Sequence, residues 1–447
     1  MSSRSVLRDR FRNLASAFAP HPRPFPHKGG REKSARFKPL PPCGGGAWGE
    51  GKRFLKKSLS ILLVLGLAAA LAPVAAQEQP ANITAGCAER YDPAADYFPQ
   101  QATIEYAENF SVEYFAHYKL VTITQTWPGS EPVRYVLVQC GTPAPDGIDA
   151  DAVIEVPAAS LVTMATTYLP FVVELGLLDH LIGHDEFDYV TTPDVRARID
   201  AGDLVEVGEG AGVSVETVLD LEPSLIFASS SGLIEYDAHP VLAEAGLPIV
   251  LAGDWLEKTP LGRAEWVKFV ALFYNREAEA EAIFAGIADE YQALVSLAAG
   301  AAERPTVFVD APWQGTWDMA GGGSYTARLL ADAGADYLWA DDESTGSQAL
   351  SFEAVLERAA AADFWVNAGG YWLSKADMLA TDERFAEFTA VQNDRAWSNN
   401  LYLNDFGGNY YYEGGIANPH WILADLVAIF HPELLPDHEM MFYRQLK

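Results

Sequence analysis

The chain has 447 residues, of which 61 are Asp or Glu and 31 are Lys or Arg, for a formal net charge of −30. Hydrophobic residues make up 49% of the chain, a proportion typical of a globular protein. So acidic a chain is excluded as a nucleic-acid-binding protein, because contact with a phosphate backbone needs clustered Lys and Arg. Peripheral binding to anionic lipid is disfavoured for the same reason.

A secretory signal is predicted over residues 51–76, unusually far from the start of the chain. Lys and Arg at positions 52–57 precede an apolar run from Leu59 to Leu71, and small residues follow, so we expect cleavage after Ala76. The apolar run is short for a stable membrane span.

The leader over residues 1–50 is rich in Pro, Gly and Arg and lacks core-forming periodicity. It is predicted to be disordered or wrongly assigned, with translation starting at Leu55. Cleavage after Ala76 would remove 14 basic and 3 acidic residues and leave a net charge of −41. Such a chain suits a soluble exported protein, periplasmic or extracellular, with room for two domains.

Two cysteines remain after this cleavage, Cys87 and Cys140. In an oxidising compartment an isolated pair forms a disulfide, which would stabilise the fold by about 4 kcal/mol. The alternative is lipidation of Cys87, since Ala85-Gly86 suits a lipobox. Thr84 replaces the usual aliphatic residue and the apolar run ends well upstream, which favours the disulfide.

The rest of the chain divides into four segments in order. Residues 77–150 are β-rich, with strands predicted at 102–106, 119–124 and 135–140, and are interpreted as a small antiparallel extension. Residues 151–275 and 301–447 alternate strands with helices, which predicts an α/β fold of two lobes with parallel sheets. Between them, residues 276–300 keep apolar side chains at helical spacing, and the helix would be about 33 Å long.

One pattern occurs once in each lobe: Ser214-Val-Glu-Thr-Val-Leu219 and Ser351-Phe-Glu-Ala-Val-Leu356. Each is typical of a capped helix start with a glutamate in the first turn, followed by an apolar strand. Two ordinary helix starts are the simple interpretation. The alternative is that Glu216 and Glu353 present one carboxylate per lobe to a partner with two-fold symmetry.

These segments, with Leu161-Val-Thr-Met-Ala165, Leu175-Gly-Leu-Leu-Asp179 and residues 243–250, resemble the ferric-siderophore/cobalamin class of ABC-transporter substrate-binding proteins. The resemblance covers residues 154–430 and implies two lobes joined by a rigid helix (class III periplasmic-binding-protein-like). It implies a monomer without enzymatic activity that binds a ferric siderophore, haem or cobalamin between its lobes. It also implies that Glu216 and Glu353 dock on arginines of the membrane permease.

Ligands of open α/β sheets bind outside the carboxyl ends of the strands, which predicts the binding loops of both lobes. The predicted ligand-binding residues are Thr166, Thr167, Tyr168, Ser230 and Trp255 from the first lobe, and Trp313, Gln314, Trp317, Ser324, Tyr325, Tyr371, Trp372, Asn409 and Tyr410 from the second. The nearest arginines are Arg328 and Arg395. This scarcity favours a bulky neutral or weakly charged chelate, such as a corrinoid or a neutral siderophore.

Two other functions stay open. Capture of a free metal ion would need converging His and carboxylate ligands, for which His180 with His184 and His431 with His438 are the candidates. A secreted hydrolase would use a pair of carboxylates. In a chain this acidic such pairs arise by chance, and the Gly-x-Ser-x-Gly elbow is absent.

Overall fold

The computed structural model describes residues 81–447, so the predicted leader, signal segment and cleavage site lie outside the described residues. The first sheet consists of β1 (Phe110–Tyr114), β2 (Tyr118–Ile123), β3 (Val133–Gln139) and β4 (Ala152–Val156), in that order. The first three strands are antiparallel, but β4 runs parallel to β3, so the sheet is mixed rather than antiparallel as predicted. A disulfide joins Cys87 to Cys140 and ties the segment before β1 to the end of β3.

The strand predicted at residues 102–106 is wrong. Its alternating pattern is present, but the backbone N–H groups of Glu105, Tyr106 and Ala107 donate to the buried carboxylate of Glu265 at 2.7–3.1 Å. These N–H groups are therefore not available to a sheet.

The first lobe contains one parallel sheet. Its strands are β5 (Leu161–Thr163), β6 (Leu181–His184), β7 (Val205–Glu206), β8 (Leu225–Ser229) and β9 (Ile249–Ala252), in the order β7-β6-β5-β8-β9. The helices of this lobe are α1 (Leu169–Glu174), α2 (Pro193–Ala201), α3 (Val215–Leu221) and α4 (His239–Glu244). The strand order reverses between β5 and β8, and the carboxyl end of such a switch point forms a crevice for ligands.

Three helices follow: α5 (Pro260–Ala264), α6 (Trp266–Leu272) and α7 (Glu277–Ala298). The 22 residues of α7 give a length of about 33 Å, which confirms the predicted connecting helix. Within residues 81–447 no helix combines the length and apolar character needed to cross a membrane.

The second lobe has a parallel sheet of β10 (Thr306–Val309), β13 (Asp336–Tyr337) and β15 (Phe364–Val366), in the order β13-β10-β15. The lobe also has an antiparallel sheet, which the sequence did not predict, made of β11 (Pro312–Trp313), β12 (Thr316–Ala320) and β14 (Ser347–Leu350). A separate antiparallel pair consists of β16 (Trp397–Ser398) and β17 (Arg444–Gln445). The helices are α8 (Tyr325–Asp332), α9 (Phe352–Ala359), α10 (Lys375–Thr381), α11 (Thr389–Gln392), α12 (Gly414–Ala417) and α13 (Pro419–Phe430). Two parallel-sheet lobes, a connecting helix and a β-rich extension are the predicted fold class.

Buried charge joins the extension to the connecting helix. Lys119 on β2 forms an ion pair with Glu277 at the start of α7, and both side chains are fully buried. Its ammonium group also donates to the carbonyl oxygen of Leu272 (2.6 Å) and to Asn275 (2.8 Å). Because a buried cation is costly unless its donors are satisfied, this arrangement fixes the extension on the lobe.

Candidate functional site

The candidate site is formed by seven loops, here called the cleft loops, that follow the carboxyl ends of parallel strands or of β16. They are residues 164–168, 185–190, 230–238 and 253–256 of the first lobe, and 310–315, 367–374 and 399–413 of the second. The two sets meet: the side-chain amide of Asn404 donates to the carbonyl oxygen of Asp188 at 2.7 Å. Burial, and after it the Tyr189 phenol of the first lobe, raises the pKa of Tyr371 in the second lobe. Loops of the two lobes therefore face each other.

Exposed apolar side chains concentrate on these loops. Of twelve large apolar side chains that are exposed within the described residues, eight lie on the cleft loops: Ile234, Tyr236, Trp313, Tyr371, Leu373, Tyr402, Phe406 and Tyr412. Six of these eight are aromatic, and we call the whole set the aromatic rim. Scattered exposed apolar residues need no explanation, but their concentration on one set of loops makes these loops the candidate binding surface.

Charge on the cleft loops has one sign. The seven loops contain nine Asp or Glu residues and no Lys or Arg. Arg263 on α5 is one of the neighbouring cations: its guanidinium donates to the Trp255 carbonyl oxygen (2.8 Å) and lies 4.5 Å from the Tyr325 ring centroid. The loops can thus accept hydrogen bonds and stack on rings, but they repel anions.

Three carboxyl groups of the cleft loops have pKa values raised above the ordinary range of an acid. Burial, together with the charge of Asp318, raises the pKa of Asp310 to about 7. Burial and the neighbouring Glu209 raise the pKa of Glu186 to about 7. Burial also raises the pKa of Asp254 to about 6, although Arg263 acts in the opposite direction. The sequence analysis missed these groups because acidic residues are abundant along the whole chain.

The predicted residues of the first lobe lie at the switch point. Thr166 and Thr167 are half-buried, and the buried Tyr168 forms a hydrogen bond through its hydroxyl with Ser229 Oγ at 2.7 Å. Ser230 is buried and donates to the Asp237 carboxylate at 2.7 Å. Tyr168 and Ser230 therefore hold the loops in place, while the two threonines remain accessible.

Trp313 and Gln314 lie at the tip of the β11–β12 hairpin. Gln314 and Gly315 both have positive φ, 50° and 86°, as a two-residue hairpin turn requires. The turn leaves Trp313 with half of its surface (51%) exposed. Tyr371 is similarly exposed, whereas its neighbour Trp372 packs edge-on against Trp365.

The prediction of Trp317 as a ligand-binding residue is wrong, because this side chain belongs to the core. Its side chain is fully buried among Phe308, Trp365 and Phe388, and its indole N–H donates to the Val309 carbonyl oxygen at 3.0 Å. Alternation along β12 places it on the inner face of the sheet, so it is not accessible to a ligand.

Ser324 and Tyr325 have structural partners at the start of α8. The Ser324 hydroxyl caps the helix by accepting from the Ala327 N–H at 3.2 Å, and Tyr325 is buried beneath Arg263. Asn409 fixes the last cleft loop, since its side chain accepts from the Tyr411 N–H and donates to the Asn399 carbonyl oxygen, both at 3.0 Å.

Tyr410 is half-buried against Phe442, with ring centroids 6.1 Å apart. Its neighbour Tyr412 is exposed and belongs to the aromatic rim, although the sequence analysis did not select it. The signal was present in the Tyr410-Tyr411-Tyr412 run, where the middle ring is buried and the exposed Tyr412 ring packs edge-on against it, with centroids 5.1 Å apart.

The two candidate arginines lie outside the cleft loops. Arg328 pairs with Asp332 along α8 at 2.9 Å. Arg395 stacks on the Phe364 ring and lies 3.9 Å from Asp363, at the amino end of β15. Neither can neutralise an anion held at the carboxyl ends of the strands.

A surface cavity of about 590 Å³ beside α8 is also cationic, with Lys258, Arg304 and Arg328 in its lining. Each of these cations already pairs with a carboxylate, at 3.2, 2.8 and 2.9 Å respectively. The cavity lies outside the cleft loops and offers no unpaired charge to a ligand.

The histidine pairs do not converge. His180 contacts the Ala159 carbonyl oxygen, whereas His184 is buried against Thr163. His431 contacts the Gly334 carbonyl oxygen and His438 pairs with Asp425. Within residues 81–447, no group of three or more His, Cys, Asp or Glu side chains is arranged to hold a metal ion.

Both repeated helix starts have the predicted caps. Ser214 and Ser351 each accept the backbone N–H three residues later at 3.2 Å. Glu216 is exposed in the first turn of α3, and Glu353 is exposed in the first turn of α9, where it pairs with Arg384 at 3.1 Å. Both carboxylates are accessible.

The sequence profile of the periplasmic binding proteins matches residues 161–397, more than half of the chain. The chain belongs to this family. The match runs from β5 to the first residue of β16 and so includes parts of both lobes, whereas the β-rich extension precedes it. This family binds solutes outside the cytoplasm and is not a family of enzymes.

The chain is similar to two uncharacterized lipoproteins of Methanocaldococcus jannaschii. It is 27% identical to one over 257 residues, which covers 56% of this chain and 58% of that protein, less than two thirds of its length. It is 26% identical to the other over 330 residues, or 70% of this chain and 80% of that protein. A possible iron-binding periplasmic solute-binding protein from Staphylococcus epidermidis superposes with a TM-score of 0.49 at 15% identity, over 62% of this chain and 99% of that one.

Proposed function

We propose that this periplasmic binding protein is the extracytoplasmic component of an ABC importer and carries a bulky iron-siderophore or corrinoid-type chelate to a membrane permease. Family membership supports the solute-binding role. The single observation that carries the choice of ligand is the cleft itself, whose loops combine an aromatic rim with nine acidic residues and no Lys or Arg.

The rim suits a large ligand with apolar or ring-shaped surface. Tyr and Trp side chains supply broad contact area at a low cost in conformational entropy, and they can also form hydrogen bonds at their polar ends. Trp313 from one loop and Tyr371 from another present such surfaces on the same lobe.

The charge of the loops restricts the ligand to a neutral or cationic species. Two like unit charges 4 Å apart repel each other by about 4 kcal/mol at the effective dielectric constant of a protein surface. An anionic chelate would be repelled in this way by each ionised carboxylate that it approached in the cleft. A neutral ferric hydroxamate or cobalamin would not. Haem, which carries two carboxylates, is the least favoured of the three ligand classes that the family resemblance implied.

Glu216 and Glu353 are proposed as the permease contacts. Both side chains are accessible, and each lies in the first turn of a helix, α3 in the first lobe and α9 in the second. Each carboxylate can accept two hydrogen bonds from one arginine in a bidentate pair. Arg384 already neutralises Glu353 in part, so docking at the second lobe requires exchange of one arginine for another.

Export without a lipid anchor at Cys87 is proposed, with cleavage after Ala76. The disulfide with Cys140 occupies the sulfur that a lipid thioether would need. The two archaeal relatives are named lipoproteins, which makes lipidation of Cys87 the alternative to be tested. An intact-mass measurement of the exported protein distinguishes the two forms. The expected mature chain begins at Gln77, carries no lipid and gains two hydrogens on reduction, whereas a lipidated chain would begin at Cys87.

The experiment that tests the ligand site is calorimetric titration of the mature protein with a neutral ferric trihydroxamate and with cyanocobalamin. Trp313→Ala combined with Tyr371→Ala should weaken the binding of the preferred chelate at least about tenfold, because the residues whose truncation costs more than about 1 kcal/mol at a binding surface are enriched in Trp and Tyr. Phe115→Ala is the matched control, since this ring is exposed on the extension and outside the cleft. Equal affinity in the double variant and in the control would reject the aromatic rim as the binding surface.

A further inference from the structure

The β-rich extension lies outside the segment that matches the family, yet it contacts two of the four cleft loops of the first lobe. We propose that Trp127, in the loop between β2 and β3, is a positioning residue for the cleft loop at 230–238 and makes the extension part of the ligand-binding site. The effect on ligand binding rests on the proposed function, whereas the positioning of the loop does not.

The contact is between the indole of Trp127 and the backbone of Gly232. A Cβ atom added to Gly232 would lie 2.7 Å from Cδ1 and 2.9 Å from Nε1 of Trp127, so the ring lies directly against the glycine. Gly232 has a φ of 76°, a left-handed conformation that favours glycine. The same indole stacks on His239 at the start of α4, with ring centroids 6.5 Å apart and planes at 26°.

The loop that Trp127 contacts is closed internally by one carboxylate. Asp237 is buried and accepts hydrogen bonds from Ser230 Oγ, from the N–H and hydroxyl of Ser231 and from the Gly232 N–H, at 2.7–3.1 Å. This network fixes the shape of the loop, and the backbone of Gly210 lies against the Tyr236 carbonyl oxygen. Trp127 and His239 provide an external surface against which the loop packs.

The loop presents two members of the aromatic rim. Ile234 is 73% exposed and Tyr236 is 59% exposed, and both lie between the glycine that Trp127 contacts and the aspartate that closes the loop. A shift of Gly232 would therefore move both side chains relative to the opposite lobe. Binding contacts need placement to within a fraction of an ångström, so such a shift would weaken binding.

A second contact fixes the neighbouring loop. The Asn109 side chain donates to the carbonyl oxygens of Gln125 (2.7 Å) and Gly253 (2.9 Å) and accepts from the Gln125 N–H (3.0 Å). Asn109 thereby ties the loop that carries Trp127 to the start of the cleft loop at 253–256.

The extension can serve as a rigid support because it is held by buried acids of the first lobe. Glu257 accepts the N–H groups of Glu108 and Asn109, both at 3.0 Å, and Glu265 accepts those of the three preceding residues. Together with the buried Lys119–Glu277 pair, these bonds leave little freedom for Trp127 to move independently of the lobe.

The test uses the full mature chain and does not need the natural ligand. Hydrogen–deuterium exchange would be compared in Trp127→Ala, in the conservative variant Trp127→Phe and in the control Phe115→Ala. We expect the peptide that spans residues 229–239 to exchange at least about tenfold faster in Trp127→Ala, with near-normal rates in Trp127→Phe and in the control. Unchanged exchange in a folded Trp127→Ala variant would overturn the positioning role.

The same variants would be titrated with cyanocobalamin and a neutral ferric trihydroxamate. Trp127→Ala should weaken the chelate that binds the wild-type protein at least about fivefold, and Trp127→Phe should restore most of the affinity. Faster exchange with wild-type affinity would overturn the link to the ligand site. If neither chelate binds the wild-type protein, the proposed ligand class fails, while the exchange rates still decide the positioning role.

Discussion

The carboxylate of Glu413 in the last cleft loop accepts hydrogen bonds from both the backbone N–H (2.7 Å) and the hydroxyl (2.5 Å) of Thr192, 221 positions earlier in the chain. It accepts the same two groups of Thr191 at 2.8 and 2.6 Å and is almost completely buried. Thr192 is the residue before α2, so Glu413 also lies at the positive end of that helix. These bonds join the last cleft loop directly to the first lobe, so we expect any movement between the lobes to be small.

Glu413→Ala should lower the free energy of unfolding by about 3 kcal/mol, because four donors would lose their acceptor, the two of Thr192 fully buried and the two of Thr191 partly buried. Urea denaturation of the mature protein measures this change. Glu433→Ala is the control, since this side chain is exposed near the C-terminus, and it should change the stability little. Similar losses in the two variants would show that the interlobe bonds contribute nothing.

Asp310 should make stability depend on pH in a defined direction. Burial and Asp318 raise its pKa from an ordinary 3.8 to about 7, so the folded state disfavours the charged form. Its contribution to stability is therefore fully present below about pH 4 and is lost as the pH rises to about 7. Asp310→Asn should remove this loss and make the protein relatively more stable at alkaline pH.

Thermal unfolding of Asp310→Asn at several pH values would test this direction. The exposed Asp149 provides the control, because Asp149→Asn should retain the pH dependence of the wild-type protein. A variant that loses stability between about pH 4 and pH 7 as steeply as the wild-type protein would contradict the assignment.

Glu216→Ala combined with Glu353→Ala should abolish transport and leave chelate affinity intact, because both carboxylates lie on helix starts outside the cleft loops. Uptake in cells and affinity of the purified protein would be measured in parallel. Asp220→Ala with Glu357→Ala is the matched control, since these acids are exposed on the same two helices. Loss of affinity in the first double variant would instead assign the pair to the ligand site or to the fold.

Removal of the disulfide by Cys87→Ser with Cys140→Ser should destabilise the protein by about 4 kcal/mol, since the bond closes a long loop between residues 53 positions apart. Denaturation of the oxidised, reduced and double-variant proteins measures this contribution. The reduced protein and the variant should agree. Equal stability of all three would show that the bond does not restrict the unfolded chain.

The fold could be predicted from the sequence wherever a local pattern decides the structure. The helical spacing of apolar residues predicted α7, and the alternation of strands with helices predicted the two parallel sheets. The caps at Ser214 and Ser351 were also predictable, because a capping serine acts on the N–H three residues away.

The candidate site was less predictable because its side chains depend on distant partners. Trp313 and Trp317 lie on one hairpin, yet the first is half-exposed and the second fully buried, since Phe308 and Trp365 from the parallel sheet cover only one face of β12. Similarly, nothing near Glu413 in the sequence indicates that its partners are Thr191 and Thr192. The strand wrongly predicted at residues 102–106 has the same origin, because the carboxylate that binds its backbone is Glu265.

The central claim is that the cleft binds a neutral or cationic chelate. Its most direct test is a titration of the mature protein, residues 77–447, followed by tryptophan emission, since Trp313 and Trp255 lie on cleft loops. The panel contains a neutral ferric trihydroxamate, cyanocobalamin, an anionic ferric tricatecholate, haemin and free iron, zinc and manganese. We predict saturable binding of a neutral chelate at micromolar or tighter affinity and weaker binding of the anionic ones. Preference for the tricatecholate or haemin, or a response to free metal alone, would contradict the account.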